Sequence, residues 1–179
     1  MCGIYGSIAC AAPLAASLGA LRKLAHRGPD AEGHHVDAQH DVFLGQRRLA
    51  IIDLSPAGEQ PMSNEDGSIW MVLNGEIYNH DELRRELLAK GHRFIGRCDA
   101  EVVLHLYEEE GERALERLVG MFAFAMWDAR KSELFIARDR LGIKPLYYAF
   151  DGRRFAFASE LAALEATPGF AFTPDVTAY

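Results

Sequence analysis

Cysteine is scarce in this chain. Three residues, Cys2, Cys10 and Cys98, are too few for a disulfide framework, and their number is odd. No pair has the close spacing of a zinc site. A reducing compartment, the cytoplasm, is therefore the expected one. Positive charge is also under-represented: 19 Lys and Arg against 26 Asp and Glu give a formal net charge of -7. No basic stripe appears, so a nucleic-acid partner is not expected. Residues 2 to 21 lack charge altogether, which invites comparison with a secretory signal. No basic residue precedes them, however, and Gly3, Gly6 and Pro13 interrupt the apolar run before Arg22 and Lys23. A signal carries its positive charge first, so neither a signal nor a membrane partner is expected.

The chain also lacks an internal repeat, a low-complexity tract, a phosphate-cradling glycine loop and a zinc-protease helix motif. Nothing in it points to ATP. His26, His34, His35 and His40 crowd one region, but neighbours on a strand face opposite ways and no Cys or Glu completes a ligand set. No metal is expected there. His80, His92 and His105 read as surface or packing residues, and Cys10 and Cys98 as structural ones. The remainder is ordinary for a globular protein, with 49% apolar and 25% charged residues over a length suited to one domain.

Periodicity predicts the elements in turn. Residues 3 to 9 read as a short buried strand, and Leu14, Leu18, Leu21 and Ala25 as one face of a helix that Arg27-Gly28-Pro29-Asp30 ends. Val42 to Ile52 reads as a strand, Asp53 to Gly67 as a loop, and Ser68 to Leu73 as a strand running into Asn74-Gly75-Glu76. Asn79 with Glu82 makes a capping-box pattern for a helix ending at Gly91. Asp99 is placed as the N-cap of a further helix, and Leu115, Leu118 and Val119 suggest a short one. From Met121 onward, strand-like runs at 121–127, 133–137, 146–150 and 154–158 have brief turns between them, which forces antiparallel pairing. The run Met121 to Trp127 is apolar on both faces, so its sheet is expected to be covered on both sides. The fold class is a layered α+β arrangement of mainly antiparallel sheets. The tail 167–179 has two prolines and no period, as a linker would.

The opening residues Met1-Cys2-Gly3-Ile4-Tyr5-Gly6 carry the chemical signal. Methionine before a small residue is normally trimmed, which would leave Cys2 first, with a thiol and a free α-amine on one residue. The amine titrates near ~7.7–8.0 and the thiol near ~8.5, so a proton can pass between them near neutral pH. Chain-terminal nucleophiles work this way. The alternative is that Cys2 is a small apolar residue opening a strand. Asn74-Gly75 is either a tight turn or a side-chain amide and a backbone N–H aimed at one developing oxyanion. Glu76 adds a carboxylate that a bare turn does not need. Arg48 is either a surface charge, a role that suits Arg47 better, or a planar fork for a carboxylate. Asp99 is either a helix cap or a partner for an ammonium group. Taken together, these groups suit a free amino acid with a side-chain carbonyl, a description that fits glutamine.

At this point the sequence resembles a known family. The matching stretches are Met1-Cys2-Gly3-Ile4, Arg27-Gly28-Pro29-Asp30, Arg48-Leu49-Ala50-Ile51-Ile52-Asp53, Gln60-Pro61-Met62, Asn74 to His80, Gly120 to Ala125 and Arg138 to Tyr148. They resemble the N-terminal glutaminase domain of glutamine-dependent asparagine synthetases, which are class II glutamine amidotransferases. The opening motif alone is shared with the glucosamine-phosphate and phosphoribosylamine amidotransferases; the stretches around Arg48, Asn74 and Arg138 select the asparagine synthetase branch. The resemblance implies an N-terminal-nucleophile hydrolase αββα sandwich, with two antiparallel sheets between helical layers. It implies hydrolysis of L-glutamine to L-glutamate and ammonia through a Cys2 thioester, with the Cys2 amine as base. Asn74 and Gly75 would form the oxyanion hole, Arg48 would hold the substrate carboxylate, and Glu76 and Asp99 its ammonium. Backbone from Leu49 through Ile51 to Ile52 would line the pocket. The family usually has Ser or Thr before the aspartate, where this chain has Cys98, a weaker donor.

The resemblance places a glutaminase domain at 1–166 and a linker at 167–179 leading toward a synthetase domain not included in these residues. No cofactor is expected for the glutaminase half reaction; ATP and Mg belong to that synthetase domain, which receives the ammonia to amidate activated aspartate. Two other readings stay open: ammonia supplied to a sugar or peptide acid, and a glutamine-binding or docking module without turnover. The oligomeric state is open too, a homodimer included.

Overall fold

The computed structural model describes residues 1–50 and 56–173. The strands are β1 (Gly3–Ile8), β2 (Ala31–Asp37), β3 (Val42–Arg48), β4 (Met62–Ser63), β5 (Ile69–Ile77), β6 (Gly120–Asp128), β7 (Glu133–Arg138), β8 (Tyr147–Phe150) and β9 (Phe155–Ala158). The helices are α1 (Leu14–Arg22), α2 (His80–Lys90), α3 (Asp99–Glu110), α4 (Ala114–Arg117) and α5 (Leu161–Glu165). One sheet has the strand order β2-β3-β1-β9-β8 and the other β4-β5-β6-β7, all pairs antiparallel.

Alternation along the strands sorts the side chains into layers. Ile4, Leu44 and Phe157 of the first sheet meet Val72, Ala123, Ala125 and Trp127 of the second. Their strand neighbours Tyr5, Phe43, Ala156 and Ala158 turn the other way, onto Leu21 of α1 and Leu164 of α5. On the far side, Met71, Leu73, Phe124 and Met126 pack against Leu87 of α2 and Val103 and Leu106 of α3. The layering is helix, sheet, sheet, helix, as expected for the αββα sandwich. Each large apolar side chain so removed from water contributes about 1.5–3 kcal/mol of transfer free energy. The run Met121 to Trp127 lies in β6 and has buried neighbours on both faces, as its sequence requires.

Several local expectations change. β2 has no counterpart among the predicted strands. It is an edge strand whose residues alternate between half-buried and exposed, so it carries no hydrophobic period. Within it His34 stacks on Phe43 and His35 on Trp70, on opposite faces, as neighbours on a strand must. The strand predicted to reach Ile52 ends at Arg48; Ile51 and Ile52 lie outside the described residues. The Asn79 side chain does not cap α2. It bridges instead to the connection before β6, accepting from the Val119 N–H at 3.0 Å and donating to the Arg117 carbonyl at 2.9 Å. α2 does end at Gly91, whose φ of 102° is left-handed backbone that glycine adopts without strain. The short helix stops at Arg117, leaving Leu118 extended and Val119 exposed. At the end of the sandwich, Thr167 is buried, its hydroxyl donating to the Ala163 carbonyl, and Phe170 packs on the α1–α5 layer.

Candidate active site

One pocket lies at the end of the interface between the sheets. Its walls include Cys2, Arg48, Leu49, Asn74, Gly75, Glu76 and Asp99, together with Gln46, Gln60 and Lys144. Side-chain parity brings these groups together. Cys2 precedes β1 with the parity of Ile4, and Gln46 and Arg48 have the parity of Leu44, so all face the second sheet. Gly3 pairs with Arg47, which sets Cys2 across from Arg48. Asn74 and Glu76 have the parity of Val72 and face the first sheet. Arg48 and Asn74 are both buried. Arg47 turns away and binds Glu32 at 2.6 Å, consistent with its predicted place outside the site.

Asn74 and Gly75 are not a turn. They lie inside β5, paired with Ala123 and Phe122 of β6. The odd-numbered residues of β5 direct their backbone groups away from β6, toward the edge that β4 covers only at its start. Along that edge Leu73 is clamped by two glutamines: its N–H donates to Gln60 Oε1 at 2.6 Å and its carbonyl accepts from Gln46 Nε2 at 2.7 Å. Further on, the Ile77 N–H donates to Asp99 Oδ2 at 2.8 Å. The Tyr78 N–H has the opposite parity and goes to the Val119 carbonyl at the β6 side. Gly75 therefore presents its N–H at the open edge, between two held neighbours. A Cβ at Gly75 would sit 2.3 Å from the Met121 carbonyl oxygen of β6, so only glycine permits this close strand approach. Beside it Asn74 is 1% exposed, and its Nδ2 has no hydrogen-bond partner among the described residues. Burying a donor in this state costs about 1–3 kcal/mol, a cost a ligand oxygen would remove.

The nucleophile candidate is held from several sides. Cys2 Sγ accepts the Leu49 N–H at 3.4 Å. Arg27 Nε donates to the Cys2 carbonyl at 3.0 Å, and Arg27 is fixed in turn by Glu160 at 2.9 Å. Asp30 joins the end of β3, its N–H donating to the Arg48 carbonyl and its carboxylate accepting from the Ala50 N–H at 2.9 Å. The Arg27 to Asp30 stretch does not end the helix in the way expected: α1 stops at Arg22, Ala25 lies beyond it in the turn that follows, and the stretch instead ties the pocket's first strand to its second. Lys144 arrives on the loop after β7, and its Nζ donates to Met1 Sδ at 3.6 Å. That loop is wound round Asp139, whose carboxylate accepts from the backbone N–H groups of Phe122, Leu141, Ile143 and Lys144. Burial alone would raise the Asp139 pKa, but these donors outweigh it and hold the pKa below the usual carboxylate value.

Asp99 is the first helical residue of α3, where it was predicted to be the cap; Cys98 is at the cap position, without a side-chain cap bond. The Asp99 carboxylate is spent instead on Ile77. Cys98 lies in the pocket wall, where its Sγ donates to Asp99 Oδ1 at 3.6 Å. Burial, and then the Asp99 carboxylate, push the Cys98 thiol up to about 12, which keeps it protonated and weak as a nucleophile.

Six described residues of the sequence-derived site, Cys2, Arg48, Asn74, Gly75, Glu76 and Asp99, thus share one pocket, with Leu49 in its wall. Gln46, Gln60, Arg27, Asp30, Asp139 and Lys144 were not singled out as site residues. For all but Gln46, a place in the matching motifs was the one available mark, because their work is hydrogen bonding that no periodicity reveals; Gln46 lies outside those motifs. Chemically the pocket offers a thiol, two N–H donors on one strand, a guanidinium and two carboxylates, a set suited to acyl transfer from an amino-acid amide.

Residues 1–179 match the model of a family described as a glutamine amidotransferase domain. The chain is 43% identical to asparagine synthetase [glutamine-hydrolyzing] 2 of Bacillus subtilis over 94% of its own length and 23% of that protein's. It is 44% identical to the nodule asparagine synthetase [glutamine-hydrolyzing] of Pisum sativum, over 92% of this chain and 28% of that one. It thus spans about a quarter of the length of these relatives. Among solved structures, glutamine phosphoribosylpyrophosphate amidotransferase of B. subtilis superposes with a TM-score of 0.78 at 23% identity, covering 92% of this chain and 43% of that one. That likeness concerns the fold.

Proposed function

The chain belongs to the glutamine amidotransferase domain family, and from that premise we propose that it hydrolyses L-glutamine to L-glutamate and ammonia with Cys2 as nucleophile. The reading is supported chiefly by one observation: the buried Asn74 Nδ2, without a partner among the described residues, in the same pocket wall as the edge-facing Gly75 N–H and the Cys2 thiol.

In this mechanism Met1 is removed and the Cys2 α-amine takes the thiol proton. The sulfur then attacks the side-chain amide carbon. The negative oxygen of the tetrahedral intermediate is received by Asn74 Nδ2–H and Gly75 N–H. The ammonium on Cys2 gives its proton to the amide nitrogen, which leaves as ammonia, and a thioester remains. Water attacks the thioester, the amine takes a proton from it, and the thiol is released with glutamate. Arg48 holds the substrate carboxylate, and Glu76 and Asp99 hold its ammonium. Residues 167–179 lead toward a synthetase domain that uses the ammonia to amidate activated aspartate, with ATP and Mg confined to that domain. The whole protein works in the cytoplasm.

The test is glutamate release and glutamine binding in the same preparation. Cys2→Ala is expected to abolish release while calorimetry still detects glutamine. Undiminished release from that variant would overturn the assignment.

A further inference from the structure

His92 and His105 read in the sequence as surface or packing residues, but the fold brings them together with two carboxylates. One ligand atom from each of Glu65, His92, His105 and Glu108 lies within 4.8 Å of the others. Three segments deliver them. Glu65 is on the turn before β5, His92 follows Gly91 at the end of α2, and His105 and Glu108 are one turn apart on α3. His105 Nδ1 is 2.8 Å from Glu108 Oε2 and 3.8 Å from Glu65 Oε2, and His92 Nδ1 is 3.8 Å from Glu108 Oε2. Four ligands at ~2.1 Å around a tetrahedral zinc stand roughly 3.4 Å apart, so small side-chain shifts suffice.

The far sides of His92 and Glu108 are already oriented. His92 Nε2 is held by Glu109 at 3.1 Å, and Glu109 also takes the charge of Lys90, the nearby cation, at 2.8 Å. Glu108 Oε1 accepts from Asn64 Nδ2 at 2.8 Å, which leaves Oε2 turned inward. Metal-binding histidines are typically steered by such an outer carboxylate. The Phe94 ring lies edge-on to His105 and shields it, so that His105 is almost fully buried. Two neutral imidazoles and two carboxylates balance a doubly charged ion of borderline softness.

We propose that Glu65, His92, His105 and Glu108 bind one divalent zinc-like ion that staples α3 and the end of α2 to the turn opening β5. The site is structural, because four protein ligands leave no open position. Asn64 ties the cluster to β5. That residue exchanges hydrogen bonds with Ile69 at the start of β5, the strand that carries Asn74.

The test uses ZnCl2 titrated into the full chain after chelator treatment, in a Cys2→Ala background because a terminal cysteine binds zinc by itself. Calorimetry is expected to give one ion per chain, with a rise in Tm. His92→Gln, at the partly open side of the cluster, and Glu65→Gln, on the exposed turn, are each expected to weaken binding about tenfold or more and to remove the Tm rise. Both substitutions leave the buried His105 in place, and circular dichroism checks their folding. Absence of binding at millimolar zinc, or unchanged affinity in both variants, would overturn the proposal.

Discussion

The Asp99 carboxylate and the Ile77 N–H are 2.8 Å apart, and this bond joins the first turn of α3 to β5 two residues beyond Gly75. Asp99 thus has a structural bond on one oxygen and, in the proposed mechanism, a substrate ammonium beside the other. The two roles can be separated. Asp99→Asn keeps an acceptor for Ile77 but loses the charge, so glutamine KM should rise about 10- to 100-fold with little change in unfolding free energy. Asp99→Ala should raise KM and also lower stability by about 1–3 kcal/mol. Steady-state kinetics beside urea denaturation of the two variants makes the comparison.

Asn74→Ala removes the side-chain donor but leaves the Gly75 N–H in place. Because the oxyanion forms only after attack, kcat should fall about 100- to 1,000-fold with KM nearly unchanged. A proportional rise in KM with kcat intact would move Asn74 from oxyanion stabilisation to ground-state binding.

Asp139 makes the loop that carries Lys144 sensitive to acid. Its folded pKa is lowered, because backbone donors outweigh the opposing effect of burial. Its contribution is therefore fully present above the unfolded value near ~3.9 and is lost as pH falls through the lower folded value. Asp139→Asn should cost about 1–3 kcal/mol at neutral pH, and the gap from the parent should close as pH drops below about 4. Urea midpoints from pH 6 to pH 2.5 measure it.

The three cysteines should separate cleanly under alkylation. With a pKa of about 12, Cys98 at pH 8 is thiolate in only roughly one molecule in 10,000. Burial, and then the Asp41 carboxylate, also raise the Cys10 pKa. Iodoacetamide at pH 8 should therefore label Cys2 in the native chain, and Cys98 only after unfolding. Peptide mapping that found Cys98 modified as fast as Cys2 would contradict the burial argument.

Much of this was legible in the sequence, where local chemistry and strand parity carry the signal. The apolar run of β6 announced a strand covered on both faces, and the opening cysteine, Arg48, Asn74-Gly75-Glu76 and Asp99 marked the pocket. What the sequence hid depends on distant contacts. Asn74-Gly75 reads as a turn because its local chemistry is that of a turn, yet pairing with β6 extends it, at a place where glycine is needed for close approach. Asn79 has the residue type of a cap, but a loop some forty residues further along competes successfully for its side chain. β2 has no period to read because an edge strand of histidines and charges buries little. Gln46, which clamps Leu73 together with Gln60, was invisible because a hydrogen bond across the sandwich leaves no pattern along the chain.

The central claim is that the Cys2 thiol works through the amine of its own residue, and one measurement tests it most directly. Glutamate release is compared between chain that begins at Cys2, verified by intact mass, and the same chain with Met1 retained. Turnover confined to the chain that begins at Cys2 is the predicted result. Equal turnover by the chain that keeps Met1 would contradict it, since there the Cys2 nitrogen is an amide and has no basicity to lend.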